Sequence, residues 1–313
     1  MNTFFRKITV AAIIAAITII FGCDKRTVTQ PTTNTKTPTE NYSSMADFFA
    51  KNGVVAQTYT VTNSTGGSFT TAQGTVVTIP ANTFVNSLYQ LVPGTVTITF
   101  KDIYKKSDML LSNMPTNMIG GAPLKSGGEF FIKATSGGNA VILANVITVK
   151  QPLNAPMDSA MLPFIDSTAW ARNNYSAGLT ATYSNYIFSL YQFSFPVDSG
   201  TWCNSDNPYY FSAYTQTNLT LQESDNPADY STYVFLIFKG INAMVHVYNG
   251  HLDAFPYSYA PEGLQCTVVA VGVKGGTVYS SFTPITISKN QTVNFTMTAT
   301  TTAAFKSALS ALN

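Results

Sequence analysis

The sequence has little charge. Asp, Glu, Lys and Arg together make up 10% of its 313 residues, and the chain has only two histidines and three cysteines. Arg6 and Lys7 account for the formal net charge of +2, so the rest of the chain is electrically balanced. Because a surface that binds nucleic acid needs an excess of Lys and Arg, we expect no nucleic-acid partner.

Common catalytic motifs are also missing. The sequence contains no Ser-x-x-Lys, no Gly-x-Ser-x-Gly, no His-Glu-x-x-His and no P-loop. Such motifs place a nucleophile, a zinc ion or a nucleotide phosphate at a defined turn or helix face. We therefore predict a protein that is not an enzyme and uses no cofactor. A hydrolase with a dispersed site stays an alternative, because the members of a triad can lie far apart in sequence.

Aromatic and hydroxyl side chains take the place of charge. Aromatic residues make up 13% of the chain, with 17 Tyr and 21 Phe, and Thr, Ser and Asn supply most of the polarity. Aromatic and β-branched residues favour strands. The composition therefore predicts an all-β fold.

Residues 1–22 are predicted to be a lipoprotein signal peptide. Two bases are followed by an uncharged run from residue 8 to residue 22, which is shorter than the roughly 20 residues of a membrane-spanning helix. Ile20-Phe21-Gly22-Cys23 resembles the bacterial lipobox, and this resemblance implies that Cys23 is diacylated and becomes the new N-terminus. A plain secretory signal with a chance cysteine is the alternative. Residues 23–44 are rich in Thr and Pro and are predicted to form an extended, mobile tether.

The first predicted module spans residues 45–150. Ser43 or Ser44 is placed to cap a short helix over 45–52. Strand-like segments follow, and Val96, Ile98 and Phe100 alternate with threonines, which places one face of a strand inward. Glycine pairs and Pro-Gly separate the segments as turns. This spacing predicts an antiparallel β-sandwich, with strands at 57–62, 74–79, 94–100, 129–134 and 140–149.

The order of short motifs in this region resembles a module that is common in cell-envelope proteins of the Bacteroidota and is similar to the ZU5 β-sandwich. The resemblance covers roughly residues 55–150 and implies a scaffolding or binding role. Self-cleavage at a His-Phe-Ser step, known for some ZU5-like domains, is not implied, because that tripeptide is missing. The motifs are Gly74-Thr75, Val77-Thr78-Ile79-Pro80-Ala81-Asn82-Thr83-Phe84, Val92-Pro93-Gly94-Thr95-Val96, Ser107-Asp108-Met109 and Leu124-Lys125-Ser126-Gly127-Gly128.

A second β-sandwich is predicted over residues 205–300. Residues 151–204 are expected to connect the modules and to include an aromatic strand, and residues 301–313 are expected to form a short docked helix. Thr201-Trp202-Cys203-Asn204-Ser205-Asp206 resembles a Trp-x-Asn-x-Asp corner that often follows the first module in the same protein group. Ala260-Pro261-Glu262-Gly263 resembles the Pro-x-Gly turn of immunoglobulin-like and carboxypeptidase-regulatory-like sandwiches. The predicted strands are 218–222, 233–239, 243–248, 265–273, 277–287 and 292–298.

Metal binding is a candidate that rests on an inferred hairpin. If Asn249-Gly250 forms a two-residue turn, His246 pairs with Asp253 and shares a face with His251. Two imidazoles and a carboxylate are ligands that suit zinc. Because His-x₄-His is a loose pattern, we expect no metal and keep His246, His251 and Asp253 as weak candidates.

Loop aromatics are the candidate for ligand binding. Flat rings in polar loops stack on sugar faces, while neighbouring Asn and Asp bond hydroxyl groups. The alternative is that these rings cover the sandwich core or the junction between the modules. The candidate glycan-binding residues are Trp202, Tyr209, Tyr210, Tyr214, Tyr257 and Tyr259.

The sequence is compatible with two kinds of covalent modification. Cys203 and Cys266 are the cysteines of the mature chain, and an exported pair would form one disulfide or stay as two small apolar residues. Asp158-Ser159-Ala160 and Asp166-Ser167-Thr168 resemble the O-glycosylation pattern of exported Bacteroidota proteins, so Ser159 and Ser167 are candidate acceptors. The alternative for both serine sites is an ordinary loop without a glycan.

These observations predict a membrane-anchored envelope lipoprotein that acts as a scaffold or binding module for a protein or glycan. A glycan-binding or adhesive surface lipoprotein is the first alternative, and the dispersed-site hydrolase is the second. Export signals in this bacterial group usually carry acids soon after the lipidated cysteine. Here Asp24 is followed by Lys25 and Arg26, so we favour the periplasmic face of the outer membrane over the cell surface.

Overall fold

Strands in five sheets dominate the structure, a computed structural model. It describes residues 40–152, 162–165, 171–172, 179–182, 187–190, 200–224, 231–250 and 253–313. Three short α-helices accompany the strands within these residues. The predicted all-β class is therefore confirmed.

In the part of the chain that the structure describes, the first sandwich has fourteen strands. One sheet has the order β1-β5-β6-β14-β10-β11 with β7 beside β6, and the other has the order β12-β13-β9-β3-β2, while β4 pairs with β8. The strands are β1 (Gln57–Thr62), β2 (Gly67–Thr70), β3 (Val76–Ile79), β4 (Phe84–Val85), β5 (Thr95–Ile103), β6 (Lys125–Ser136), β7 (Asn139–Ala140), β8 (Ile142–Leu143), β9 (Ile147–Lys150), β10 (Leu162–Ile165), β11 (Ala171–Arg172), β12 (Leu179–Thr182), β13 (Ile187–Leu190) and β14 (Thr201–Asn207).

Alternating apolar residues fill the space between these two sheets. Val96, Ile98 and Phe100 of β5 are fully buried, and they meet Val77 of β3 and Val149 of β9 from the opposite sheet. Full burial of a side chain of this size contributes about 1.5–3 kcal/mol. The apolar residues that alternate with threonines along β5 thus form part of the inner face of the sandwich.

The first sandwich extends past residue 150, where its end was predicted. β13 pairs with β9, and β14 pairs with β6 over most of its length. The predicted connection 151–204 therefore contributes strands to both sheets. The physical reason is that β6 would otherwise leave one side of its backbone without hydrogen-bond partners.

The second sandwich has two sheets, with orders β18-β15-β21 and β17-β16-β19-β20-β22. β15 and β21 run parallel. The strands are β15 (Gln216–Glu223), β16 (Ser231–Phe238), β17 (Met244–Val247), β18 (Ala254–Pro261), β19 (Gln265–Lys274), β20 (Thr277–Thr286), β21 (Gln291–Phe295) and β22 (Thr298–Thr300).

The larger sheet of the second sandwich is covered on both faces. Val234 and Leu236 of β16 pack into the core between its two sheets, whereas Phe235 and Ile237 point to the opposite side. Strands that are buried on both faces appear in sequence as continuous apolar runs. The unbroken apolar stretch of β16 is explained in this way.

Three helices and the first sandwich cover that outer face. The helices are α1 (Met45–Asn52), α2 (Lys106–Leu111) and α3 (Thr302–Ser310). Phe48 of α1 and Phe305 of α3 approach within 5.9 Å between ring centroids. The apolar core under this outer face contains residues of both sandwiches, and we call it the junction cluster. Its members are Tyr42, Met45, Phe48, Phe49, Ile103, Met109, Leu110, Leu111, Met114, Leu124, Phe164, Phe235, Ile237, Met244, Val269, Val271, Val278, Phe305 and Leu309.

Both predicted helices at the ends of the folded body are confirmed. The Ser44 hydroxyl accepts from the Asp47 amide at 3.1 Å and caps α1. α3 buries Phe305 and Leu309 in the junction cluster. Over the described residues, no helix has the length and apolar character that crossing a membrane requires.

The folded body begins beside the C-terminal helix. The Thr302 amide, in the first turn of α3, donates to the Glu40 carboxylate at 2.7 Å. The Tyr42 hydroxyl and the Thr302 hydroxyl are 2.9 Å apart, and the Tyr42 amide donates to the Gly276 carbonyl at 3.2 Å. Residues 40–42 are therefore fixed to the second sandwich before α1 starts.

Candidate functional site

The six candidate glycan-binding rings do not form one surface. Trp202 packs on Phe131 with ring centroids 5.4 Å apart and on the junction cluster. Tyr257 is buried, and its hydroxyl donates to the Gly121 carbonyl at 3.1 Å. The expectation that these two rings stack on a sugar is corrected, because both are used to join the sandwiches.

The other four rings are more accessible. Tyr209 and Tyr259 are 54% and 41% exposed. Tyr210 lies 6.4 Å from Tyr214 between ring centroids, and the Lys125 ammonium lies 4.7 Å from the Tyr210 ring centre. A cation over a ring face occupies a surface that a sugar would need. Tyr209 and Tyr259 are the most exposed of the six candidates, since Tyr210 and Tyr214 are half-buried.

The predicted hairpin at Asn249-Gly250 is wrong. β17 pairs with β16 at the edge of one sheet, and β18 pairs with β15 in the other sheet. The chain crosses between the two sheets here instead of folding back on itself. His246 lies opposite Phe235 of β16 and not opposite Asp253. Over the described residues, no three His, Cys, Asp or Glu side chains converge to hold a metal ion.

His246 is packed between aromatic rings. Its ring is stacked on Tyr233 at 5.2 Å and on Phe235 at 4.9 Å, and Tyr248 lies at 4.3 Å. Burial lowers the pKa of His246 to about 4. The imidazole is thus a neutral member of an aromatic stack.

This burial predicts a pH dependence of stability. A histidine in the unfolded chain titrates near pH 6.5, so between about pH 4 and 6.5 the unfolded state binds more protons than the folded state. We expect the contribution of His246 to be full above about pH 6.5 and to be lost as the pH falls toward about 4. Urea unfolding of the wild type and of His246→Phe across this range measures it. Parallel pH profiles for the two proteins would contradict the assignment.

The disulfide between Cys203 and Cys266 is not formed. Both thiols are free and buried, Cys203 in the core of the first sandwich and Cys266 in the core of the second. Each lies on an inner face among apolar side chains, and the two cores are separate. Burial raises the pKa of Cys266 to about 12. The alternative reading, two small apolar residues, is what the structure has.

Several candidates lie outside the described residues. They are the lipidation site Cys23, the candidate glycosylation sites Ser159 and Ser167, and His251 of the metal hypothesis. These predictions stay as the sequence states them.

A polar network that sequence reasoning missed closes one end of the first sandwich. The buried Asp102 carboxylate accepts hydroxyl hydrogen bonds from Thr71 and Thr75, each at 2.6 Å, and lies 3.4 Å from the Gln57 amide nitrogen. The Thr75 hydroxyl is also bonded to the Tyr104 hydroxyl. Each member has a partner, so the network fixes the loop between β2 and β3.

An exposed apolar loop is the second feature that was missed. Residues 86–91 follow β4 in the connection to β5 and are here called the apolar tip. Leu88, Tyr89 and Leu91 are 73%, 62% and 55% exposed. The tip carries no charged residue. Grouped exposed apolar side chains on a folded protein mark interaction sites.

The apolar tip is held in one conformation. The Asn86 side-chain carbonyl accepts from the amides of Leu88 at 2.9 Å and Gln90 at 3.0 Å. Tyr89 has φ of 59°, a left-handed conformation that costs a residue other than glycine energy. Below the tip, the buried Asn63 amide donates to the carbonyls of Phe84 and Val92, each at 2.8 Å. The Tyr89 ring and the methyl groups of Leu88 and Leu91 are thus presented on a fixed stem.

Comparisons with known proteins show little similarity to this chain. No protein-family model and no curated protein matches the chain. A solved structure of BcpA, the major pilin subunit of Bacillus cereus, aligns with 79% of this chain and 100% of its own chain, at 10% identity and a TM-score of 0.20. A likeness of that size carries no conclusion, so the all-β architecture rests on the sheets themselves.

Proposed function

We propose that this chain is a lipid-anchored binding protein of a bacterial cell envelope and not an enzyme. Its binding element is the apolar tip, and Cys23 carries its lipid anchor. The uncharged run before Cys23 and the Thr/Pro-rich stretch after it support the anchor. The resemblance of residues 55–150 to ZU5-like modules of the Bacteroidota supports an envelope role, and we favour the periplasmic face of the outer membrane.

The apolar tip is the observation that carries the binding role. Tyr89 stands out from a rigid stem with Leu88 beside it, and tyrosine is enriched among the side chains that anchor protein interfaces. The absence of charge in residues 86–91 gives no attraction for anionic headgroups or acidic chains. A protein with an apolar pocket is therefore the partner that the tip fits.

Photo-crosslinking on intact cells tests the binding role. A photoreactive amino acid placed at Tyr89 in the full-length protein is expected to capture one protein, and the same probe at the isolated, 83% exposed Val55 is the control. The captured protein, once purified, should bind the wild type at least about tenfold more tightly than Leu88→Ser, a loss of about 1.4 kcal/mol. Capture of lipid alone, or equal affinity of Leu88→Ser, would contradict the proposal.

Intact mass tests the anchor. The mature protein is expected to begin at Cys23 with acyl chains attached, since each buried CH₂ adds about 0.8 kcal/mol of membrane affinity. Cys23→Ala should move the protein from the membrane to the soluble fraction. An unacylated mass for the wild type would remove the anchor and leave a secreted protein.

A glycan ligand is the second candidate. It rests on the exposure of Tyr209 and Tyr259, which are 54% and 41% exposed. A hit on a glycan array that is lost in Tyr209→Ala or Tyr259→Ala, and kept in Leu88→Ser, would favour it over the protein partner.

A further inference from the structure

Two acidic side chains lie buried on neighbouring strands where the two sandwiches meet. Glu129 of β6 is opposite Asn204 of β14, and Asp206 is opposite Ser126. A β-bulge between Asn204 and Asp206 changes the register there, and bulges redirect side chains. Glu129 and Asp206 are both 0% exposed.

Three of the four carboxylate oxygens have no hydrogen-bond partner within the described part of the chain. They are both oxygens of Glu129 and Oδ1 of Asp206. The remaining oxygen, Oδ2 of Asp206, accepts from the Asn204 amide at 2.8 Å. Buried carboxylates are normally paired or bound to a cation, because an uncompensated buried charge is strongly destabilising. These three oxygens therefore need an explanation.

No positively charged side chain in the described residues compensates the two acids. A single proton shared by the two acids would join two oxygens. It would leave the third oxygen without a partner and one negative charge in the interior.

A hard divalent cation provides both the missing positive charge and the missing partners of the three oxygens. It neutralises two carboxylates, and ions of the calcium type bind six to eight oxygens, including carboxylate and amide carbonyl oxygens. The Asn204 side chain is already oriented, because its amide donates to Asp206 and its carbonyl accepts from the Ser126 hydroxyl at 3.0 Å. That carbonyl supplies a neutral oxygen beside the two acids.

We propose that Glu129, Asp206 and Asn204 form a binding site for a calcium-type divalent cation between the two sandwiches. The site joins β6 to β14. The same segment of β6 is tied to the second sandwich, since the Ser126 amide donates to the Asn242 carbonyl at 2.8 Å and the Asn242 amide donates to the Ser126 carbonyl at 2.9 Å. Cation binding therefore stabilises the contact between the sandwiches as well as the sheet.

Calcium titration of the full chain after removal of metal by EDTA tests the site. We expect calorimetric heat and a rise in Tm of about 5 °C at a concentration of calcium far above its Kd. Both signals should disappear in Glu129→Gln and Asp206→Asn. Glu223→Gln is the matched control, because Glu223 is also a buried glutamate and accepts from Thr232 at 3.0 Å outside the site; it should keep the calcium response.

A second readout protects the test if the site variants do not fold. Terbium bound at the site is expected to give luminescence sensitised by Trp202, which lies two positions before Asn204 on β14. Calcium should displace terbium, and Trp202→Phe should lose the emission while keeping the calcium heat. A wild type without heat, Tm shift or displaceable emission would overturn the proposal. A Glu129→Gln protein that is more stable than the wild type in the presence of calcium would also overturn it. That result is expected if protons, and not a cation, neutralise the two buried acids.

Discussion

Phe235→Ala is expected to lower the free energy of unfolding of the folded body by about 3–5 kcal/mol. Phe235 is fully buried in the junction cluster, where it also stacks on His246. Its removal leaves a cavity in a core that both sandwiches share. We therefore expect one cooperative transition that moves to lower urea, because the sandwiches cannot separate without exposing that core.

Urea unfolding, followed in parallel by tryptophan fluorescence and far-UV circular dichroism, measures this loss. Val55→Ala is the control, since Val55 is 83% exposed and such substitutions usually change stability by less than about 0.5 kcal/mol. Two separate transitions, of which Phe235→Ala moves only one, would show that the sandwiches are independent and would contradict the prediction.

Gly66→Ala is expected to destabilise the first sandwich by about 2–5 kcal/mol, the sum of left-handed strain and overpacking. Gly66 has φ of +67°, and a Cβ there would lie 2.3 Å from the Ile79 carbonyl oxygen and 2.5 Å from the Pro80 carbonyl carbon. Both atoms belong to the backbone, so no rotamer change relieves the clash. The turn between β1 and β2 would have to move away from the end of β3.

Gly240→Ala separates the two causes. Gly240 has φ of +70°, and a Cβ there meets nothing within 4 Å. It should show the backbone strain alone, about 1–2 kcal/mol. The difference between the two variants, measured by thermal and urea unfolding, reports the clash at Gly66. Equal losses would mean that the contact with the Ile79 and Pro80 backbone has no cost.

The strands that the sequence predicted best are those whose two faces differ. β1 was predicted with its observed bounds, and in β5 the threonines alternate with Val96, Ile98 and Phe100. Period-two alternation reports directly on burial of one face. The C-terminal helix was also predicted, since Phe305 and Leu309 recur at helical spacing.

Other elements were missed because their chemistry contradicts the usual pattern. β14 is polar but lies in the interior of its sheet, where Asn204 and Asp206 are fully buried. It was interpreted as a corner and a loop, since polar runs are typical of loops. β18 contains Pro256 and ends at Pro261, and it is an edge strand, the position in a sheet where proline is tolerated.

The candidate functional residues could also be predicted only in part from the sequence. Composition indicated that aromatic loops are the place to look for a ligand, but it could not tell Tyr257, which is buried at the junction, from Tyr259, which is exposed. The apolar tip gave a signal in the apolar residues Leu88, Tyr89 and Leu91 between polar neighbours. What the sequence could not supply is the support from Asn63, which is distant in the chain and makes the tip rigid.

The hydrogen bonds that fix residues 40–42 to the second sandwich determine how the folded body would carry a mechanical load. If the segment before residue 40 is attached to a membrane, a pull on it acts first on the hydrogen bonds that Glu40 and Tyr42 make with Thr302 and Gly276. These bonds lead into α3 and the hairpin between β19 and β20, and thus into the larger sheet of the second sandwich. Force would therefore reach α3 and the junction cluster before it reaches β1 and the rest of the first sandwich.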